Sequence, residues 1–186
     1  TLNQAEANRI GQALWDFYHY QIHTLRSLHA DPHPGNFIIT TDKILGVIDF
    51  GCVKVIPQDF YDVYFQLLHK DFLSDKKKQS RVFHDLRFIY DDDTEADRKF
   101  FEQVFIQLVE LLGRPFRTPH FDFADADYFA SLYKFGEEIG SMKAFRESKK
   151  ARGVKHALYI NRTYYGLYNL LHQLKARVDT TSYVTV

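Results

Sequence analysis

A single cysteine, Cys52, is all the thiol chemistry this sequence holds. It excludes an intrachain disulfide and a cysteine-rich zinc site, and it is compatible with a reducing compartment. Charge of one sign is also missing, because 24 Lys and Arg balance 24 Asp and Glu. That balance removes the electrostatic reason to expect nucleic acid as a partner. No run of about 18 apolar residues is present, so no membrane-spanning helix is expected. The opening residues TLNQAEANRIGQ hold no hydrophobic signal-peptide core and no initiator Met, which suggests a piece of something longer. Internal repeats and low-complexity linkers are absent as well.

What is present suits one domain with a real core. The chain has 186 residues, of which 45% are apolar and 26% charged. Its aromatics are spread along the chain and read as core and sub-surface packing. The first segment, roughly Leu2 to Leu28, is expected to be an amphipathic helix: Ile10, Leu14, Phe17, Leu25 and Leu28 recur near a 3.6 period. Asn3 is its expected N-cap, with Glu6 three residues on. Helical spacing returns after Pro57, over Gln58 to Phe72, Lys76 to Tyr90, Ala96 to Leu112, Asp127 to Gly140 and Tyr159 to Ala176. Gly113-Arg-Pro115 and Thr118-Pro119 mark breaks.

The stretch SLHADPHPGNFIITTDKILGVIDFGC, Ser27 to Cys52, differs from the rest. Pro32 and Pro34 forbid helix and bias their predecessors to extended backbone, so Asp31 and His33 are expected on a stiff loop. Two apolar runs follow, 37–40 and 44–49. With Asp42-Lys43 as the turn, antiparallel partners sum to 85 and Asn36 falls opposite Asp49. The fold expected is mainly α, in one domain over 1–186, carrying one β-hairpin at about residues 37–49.

The hairpin joins two polar knots. His29-x-Asp31-x4-Asn36, followed by Asp49-Phe50-Gly51, has the residue types and order of a kinase catalytic loop and its metal-binding triplet. Six fixed positions of this kind arise by chance about once in tens of millions of starting points. Phosphoryl transfer needs a carboxylate to orient or deprotonate the acceptor, and oxygen ligands to hold Mg²⁺ against nucleotide phosphates. Asp31 fits the first role, and Asn36 and Asp49 fit the second. His29 is expected to brace the loop through its backbone, and His33 either to reach phosphate or to brace the loop. Gly35 is expected to supply a backbone angle or a close approach. Cys52 is read as a small packing residue and Lys54 as a surface lysine.

ADPHPGN followed by VIDFG resembles the UbiB/AarF/ADCK family of atypical kinases, and NRTYYGLYNLLHQLKARVDT, Asn161 to Thr180, is similar to that family's closing helix. The stretch from about Ser74 to Gly153 offers no motif that matches. The resemblance implies a protein-kinase-like C-terminal lobe, with Asp31 as the catalytic-loop aspartate and Asn36 and Asp49 as metal ligands. Gly51 and His33 would complete the nucleotide side. It also implies ATP and Mg²⁺ as cofactors and a link to isoprenoid-quinone lipid metabolism.

Departures from the kinase pattern narrow this reading. Ala30 replaces the arginine that pairs with a phosphorylated activation loop. No Ala-Pro-Glu triplet follows the Asp-Phe-Gly, and only Gly51 to Pro57 remain before helix signals resume. Seven residues are too few for a peptide platform, so a small or lipid-like acceptor, or ATP hydrolysis, is expected. No glycine-rich loop or Lys-x-Gly-Gln element precedes the first helix. The expectation is therefore a C-terminal lobe only, part of an ATP-dependent phosphotransferase or ATPase, with the 186 residues alone binding Mg-ATP poorly.

Other classes stay open. Choline and aminoglycoside phosphotransferases resemble the same spacing but usually lack the Phe-Gly. A zinc or iron site could use His29, Asp31 and His33, or His19 and His23 four apart on the first helix. A non-catalytic scaffold could keep the same residues. DDDTEAD, Asp91 to Asp97, lacks the Gly and Glu of an EF-hand loop and is read as a solvated loop before a helix. MKAFRESKKARGVK, Met142 to Lys155, counts six Lys or Arg against one Glu. A solvated face is its default reading, with peripheral membrane contact through Lys143 to Lys155 as the functional alternative. A cytoplasmic or membrane-peripheral location is expected.

Overall fold

The computed structural model describes residues 2–147 and 150–183. Helix α1 (Gln4–Tyr20) begins at the expected cap: Asn3 Oδ1 accepts from Glu6 N–H at 2.9 Å and Glu6 Oε2 accepts from Asn3 N–H at 2.8 Å. The helix does not run to Leu28. Its last turn, Gln21–Leu25, widens to π geometry, and Arg26 turns left-handed at φ 50°. The Arg26 guanidinium, which lies 3.3 Å over the Tyr61 ring, donates back to Ile22 O at 3.1 Å and secures that turn. Ser27–His29 then form strand β1.

Strands β2 (Phe37–Ile39) and β3 (Leu45–Val47) make the expected hairpin, one residue out of the expected register. Phe37 faces Val47, Ile38 faces Gly46 and Ile39 faces Leu45, so partners sum to 84. The loop has three residues. Lys43 N–H donates to Thr40 O at 3.0 Å, Thr40 N–H to Ile44 O at 3.0 Å, and Lys43 is left-handed at φ 61°. Asp-Lys lacks the Asn or Gly that a two-residue turn with two positive φ angles needs, and the third loop residue resolves this.

Strand β4 (Val53–Val55) pairs antiparallel with β1, Leu28 opposite Lys54. Helix α2 (Gln58–Tyr64) gives way to a 3-10 turn at Phe65–Leu68 rather than continuing to Phe72. Helix α3 (Lys76–Asp85) stops short of Tyr90, because Arg87 is left-handed at φ 57°. Helix α4 (Glu95–Gly113), strand β5 (His120–Asp122) and helix α5 (Ala126–Ser141) follow, then the short helix α6 (Lys143–Glu147). Helix α7 (Lys155–Gln173) starts one turn earlier than expected and leads to β6 (Arg177–Asp179), which pairs with β5. The fold is the expected mainly α lobe, with three two-stranded sheets among the described residues instead of one hairpin. Three-residue strands are too short for alternation to show in sequence.

The core is aromatic. Trp15, Tyr18, Phe72, Phe83, Phe123 and Tyr168 are fully buried, and Trp15 stacks parallel to Tyr168 with centroids 6.4 Å apart. Polar side chains of α1 serve β6: Asn8 Oδ1 accepts from Arg177 N–H at 2.9 Å and Gln12 Oε1 from Asp179 N–H at 2.8 Å.

The acidic loop is not simply solvated. Thr94 caps α4 as a loop-before-helix reading requires, but the Asp93 side chain is only 2% exposed and takes a bidentate pair from Arg152, at 2.6 and 2.8 Å. Lys150 reaches Asp92 at 2.5 Å and Asp93 at 3.4 Å. The basic run is thus partly bound to the acidic one, which departs from the solvated reading of both. Ser148 and Lys149 of that run lie outside the described residues.

Candidate functional site

The loop after β1 is built from its prolines. At Pro32 the chain makes a tight turn in which His33 N–H donates to Asp31 O at 2.8 Å, a three-residue turn that suits the proline φ. Pro34 then opens a single 3-10 turn, Pro34–Asn36, which the expectation of a purely extended loop did not include. His33 caps it, its Nδ1 accepting from Gly35 N–H at 3.0 Å. His33 is therefore a loop brace. Gly35 is there for close approach, since a Cβ would lie 3.0 Å from His33 Nδ1.

Asn36 is buried and joins the two ends of this loop. Its Nδ2 donates to Asp31 O at 2.8 Å and to Asp31 Oδ2 at 3.2 Å. With the amide nitrogen so committed, Oδ1 is the atom left for a cation. The Asn36 carbonyl accepts from Ile48 N–H at 3.0 Å, so the ladder ends at Asn36 and Ile48, and Asp49 follows one residue beyond. Asp49 is exposed and pinned locally, its Oδ1 accepting from Gly51 N–H at 2.7 Å. A Cβ on Gly51 would stand 3.1 Å from that oxygen. The structure thus bonds Asn36 to Asp31 and sets Asp49 at the same open end of the hairpin.

Near the site, burial pushes the Tyr18 hydroxyl well above its ordinary pKa, and the Asp31 carboxylate adds to the shift. His29 is 1% exposed, with its N–H donating to Gln21 Oε1 at 2.8 Å and its Nδ1 3.5 Å from Tyr18 OH. The expectation that His29 braces the loop through the loop's backbone is not met: His29 is tied instead to Gln21 and Tyr18, in the helical segment that precedes β1. Phe50, by contrast, is 57% exposed, with its ring edge-on to His29 at 6.0 Å. Cys52 is exposed, not packed; its carbonyl accepts from Ala30 N–H at 2.8 Å and continues the β1–β4 pairing. Lys54 sits 4.7 Å over the Tyr159 ring of α7.

The donors left open at the hairpin end, Asn36 Oδ1 and Asp49 Oδ2, are hard oxygens, which fits Mg²⁺ better than zinc or iron. The rival His29–Asp31–His33 set is not brought together, since His29 points to Tyr18 and His33 to Gly35. Among the described residues no three His, Cys, Asp or Glu side chains form a metal-holding group. His19 and His23 are turned into the core: His19 Nδ1–H donates to Trp15 O at 2.7 Å, and His23 Nδ1 is 2.6 Å from Tyr61 OH.

Two features of the site had no signal in the sequence. Gln21 holds the backbone of His29, and Gly166 of α7 lies directly behind Pro32, where a Cβ would be 2.2 Å from Pro32 Cγ. Both are contacts between elements, which residue spacing does not encode.

Parts of this chain are similar to known proteins. Residues 1–83 match the ABC1 atypical kinase-like domain. The zebrafish (Danio rerio) protein named Atypical kinase COQ8B, mitochondrial, is 26% identical over 124 residues, 66% of this chain and 19% of that protein. The Caenorhabditis elegans protein named Atypical kinase coq-8, mitochondrial, is 23% identical over 165 residues, 86% of this chain and 20% of that protein. The chain thus spans about a fifth of the length of these curated relatives. Among solved structures, Mycobacterium tuberculosis Rv3197, determined in complex with erythromycin, superposes with a TM-score of 0.68 at 18% identity. That superposition covers 97% of this chain and 43% of the other, and shows a shared fold. Residues 1–83, which hold Asp31, Asn36 and Asp49, are thus similar to the ABC1 atypical kinase-like domain, and the two relatives named as atypical kinases support the resemblance to the UbiB/AarF/ADCK family.

Proposed function

We propose that this chain supplies the catalytic loop and metal ligands of a Mg-ATP site, in a full-length protein that transfers a phosphoryl group or hydrolyses ATP. The observation that carries the reading is the division of labour on Asn36: its Nδ2 is committed to Asp31 while its Oδ1 is left over, and the exposed Asp49 follows directly on the Asn36–Ile48 ladder bond. Asn36 and Asp49 would hold Mg²⁺, which would neutralise charge on the nucleotide phosphates. Asp31, held by the Pro32 turn and the Asn36 amide, orients the acceptor or takes its proton. Gly51 fixes the rotamer of Asp49, and His33 keeps the loop shaped for phosphate.

The acceptor is small or lipid-like. Immediately after Asp49-Phe50-Gly51 the chain returns to β1: Ala30 N–H bonds Cys52 O, and Ile56 N–H bonds Arg26 O, both at 2.8 Å. That return leaves no segment on which an extended peptide would lie. Kinship with proteins of the UbiB type favours a role in isoprenoid-quinone lipid biosynthesis. The mitochondrial names of the two relatives favour an organellar over a cytoplasmic location. Among the described residues no helix is long and apolar enough to cross a membrane.

The test uses the full-length protein. Asp49→Asn should abolish Mg-dependent nucleotide binding, measured by calorimetry. Asp31→Ala should spare binding and lower turnover by about 10²–10⁴-fold. If both variants keep wild-type function in cells, the protein is a scaffold and the reading fails.

A further inference from the structure

A close approach to the proposed catalytic loop comes from the far end of the chain. Gly166 lies in the middle of α7, where alanine is the better helix former. A Cβ at Gly166 would stand 2.2 Å from Pro32 Cγ, 3.1 Å from its Cβ and 3.4 Å from its Cδ. Neither side can relieve such a clash by rotating a side chain: the pyrrolidine ring offers only a change of pucker, and its φ is fixed, so the loop backbone would have to move. Helix α7 is held by its buried face, with Tyr164, Leu167, Tyr168 and Leu171 in the core. Tyr168 OH donates to Leu112 O at 2.7 Å, and Tyr64 OH donates to Asn161 Oδ1.

Pro32 directly follows Asp31, and the Asp31 carbonyl is shared by His33 N–H and Asn36 Nδ2. A push on Pro32 therefore passes to Asp31. The metal-ligand side is anchored separately, through the Asn36–Ile48 ladder bond and the Asp49–Gly51 turn. We propose that Gly166 is a positioning residue: the bare backbone of α7 is the wall against which Pro32 sets the Asp31 carboxylate toward the acceptor. This rests on the assignment of Asp31 above. It gives α7 a task in the chemistry and not only in the core.

A control is built into the fold. Gly11 of α1 is as tightly packed, since its Cβ would be 2.4 Å from Ala176 Cβ, but it touches none of the site residues. In the full-length protein, Gly166→Ala is expected to lower kcat about 10- to 100-fold, with the dissociation constant for Mg-nucleotide within about twofold of wild type. Pro32→Ala in the same chain removes the Cγ that clashes and should return at least about tenfold of the lost kcat. Gly11→Ala should lower the melting temperature and leave kcat per folded molecule unchanged. Hydrogen exchange of the peptide spanning residues 30–39 reads the same displacement without turnover. It should accelerate in Gly166→Ala, recover in the double variant and stay unchanged in Gly11→Ala. An unchanged kcat and unchanged exchange in Gly166→Ala would overturn the proposal, as would a loss that Pro32→Ala does not relieve. A wild-type protein without turnover would instead count against the assignment of Asp31, and the exchange pattern would still decide whether α7 sets the loop.

Discussion

Between Ala30 and Cys52, the side chains proposed to carry chemistry are held by bonds that reach no more than five residues along the chain: Asn36 to Asp31, Gly51 to Asp49, Gly35 to His33. In the helical wall behind them the polar contacts span far more sequence. Tyr168 meets Leu112 56 positions away, Arg152 meets Asp93 59 away, and Tyr64 meets Asn161 97 away. Short-range bonds give each site residue its rotamer but cannot fix where the loop as a whole stands. The long-range contacts do that, and they meet the site at Pro32. Stability should therefore be concentrated in the wall and chemistry at the edge.

The strongest test of that contrast is the Asp93–Arg152 pair, whose side chains are 2% and 5% exposed. Removing one partner strands the other charge in the core. Asp93→Ala should cost about 3–5 kcal/mol, read as a lower urea midpoint, although no proposed site residue is touched. Replacing both, Asp93→Leu with Arg152→Met, should recover most of that loss. The pair also predicts acid behaviour. Hydrogen bonding from Arg152, outweighing burial, lowers the Asp93 pKa to about 2. Its folded pKa lies below its unfolded value of about 3.9, so its contribution is present above that value and is lost as pH falls toward 2.

A second wall test acts at milder pH. Burial lowers His19 to about 3 and His23 to about 4, with His23 adding to the first shift and Arg26 to the second. Unfolded histidine takes up its proton near 6.5, so below that pH both imidazoles stay neutral only while the chain is folded. Stability is complete above about pH 6.5 and should fall below it by about 1.4 kcal/mol per pH unit for each histidine, until the folded values are reached. Urea midpoints between pH 7 and 5 measure this. His19→Gln should halve the slope, and an unchanged slope would show that His19 is not buried neutral.

The same contrast explains what the sequence did and did not reveal. The local geometry of the proposed site was legible because its bonds are local: the prolines, the Asp31–Asn36 spacing and the Asp-Phe-Gly turn each specify a neighbour a few residues away. The helices α4 and α5 were placed to within a residue at each end, because their apolar periods are long. What stayed hidden is relational. Strand β4 forms because Val53–Val55 finds β1, and three apolar residues alone carry no period. Asp93 reads as one more surface carboxylate until Arg152 closes on it. Gly166 reads as a weak point in a helix until Pro32 is placed beside it.

The smallest expected effect is on the edge itself. Lys43 is held left-handed at φ 61° in the hairpin loop, a conformation that costs a side-chain-bearing residue about 1–2 kcal/mol. Lys43→Gly removes that strain but loosens the unfolded chain by about 0.5–1 kcal/mol. The Arg9 guanidinium donates at 3.0 Å to the Lys43 carbonyl, which glycine keeps. The net gain should therefore stay within about 1.5 kcal/mol, a rise of at most about 3–6 °C in the melting temperature. Mg-nucleotide affinity in the full-length protein should not change, because Asn36 and Asp49 sit at the opposite end of the hairpin. A rise in stability accompanied by altered nucleotide affinity would break the comparison, since it would mean that the turn, and not the wall, sets where the metal ligands stand.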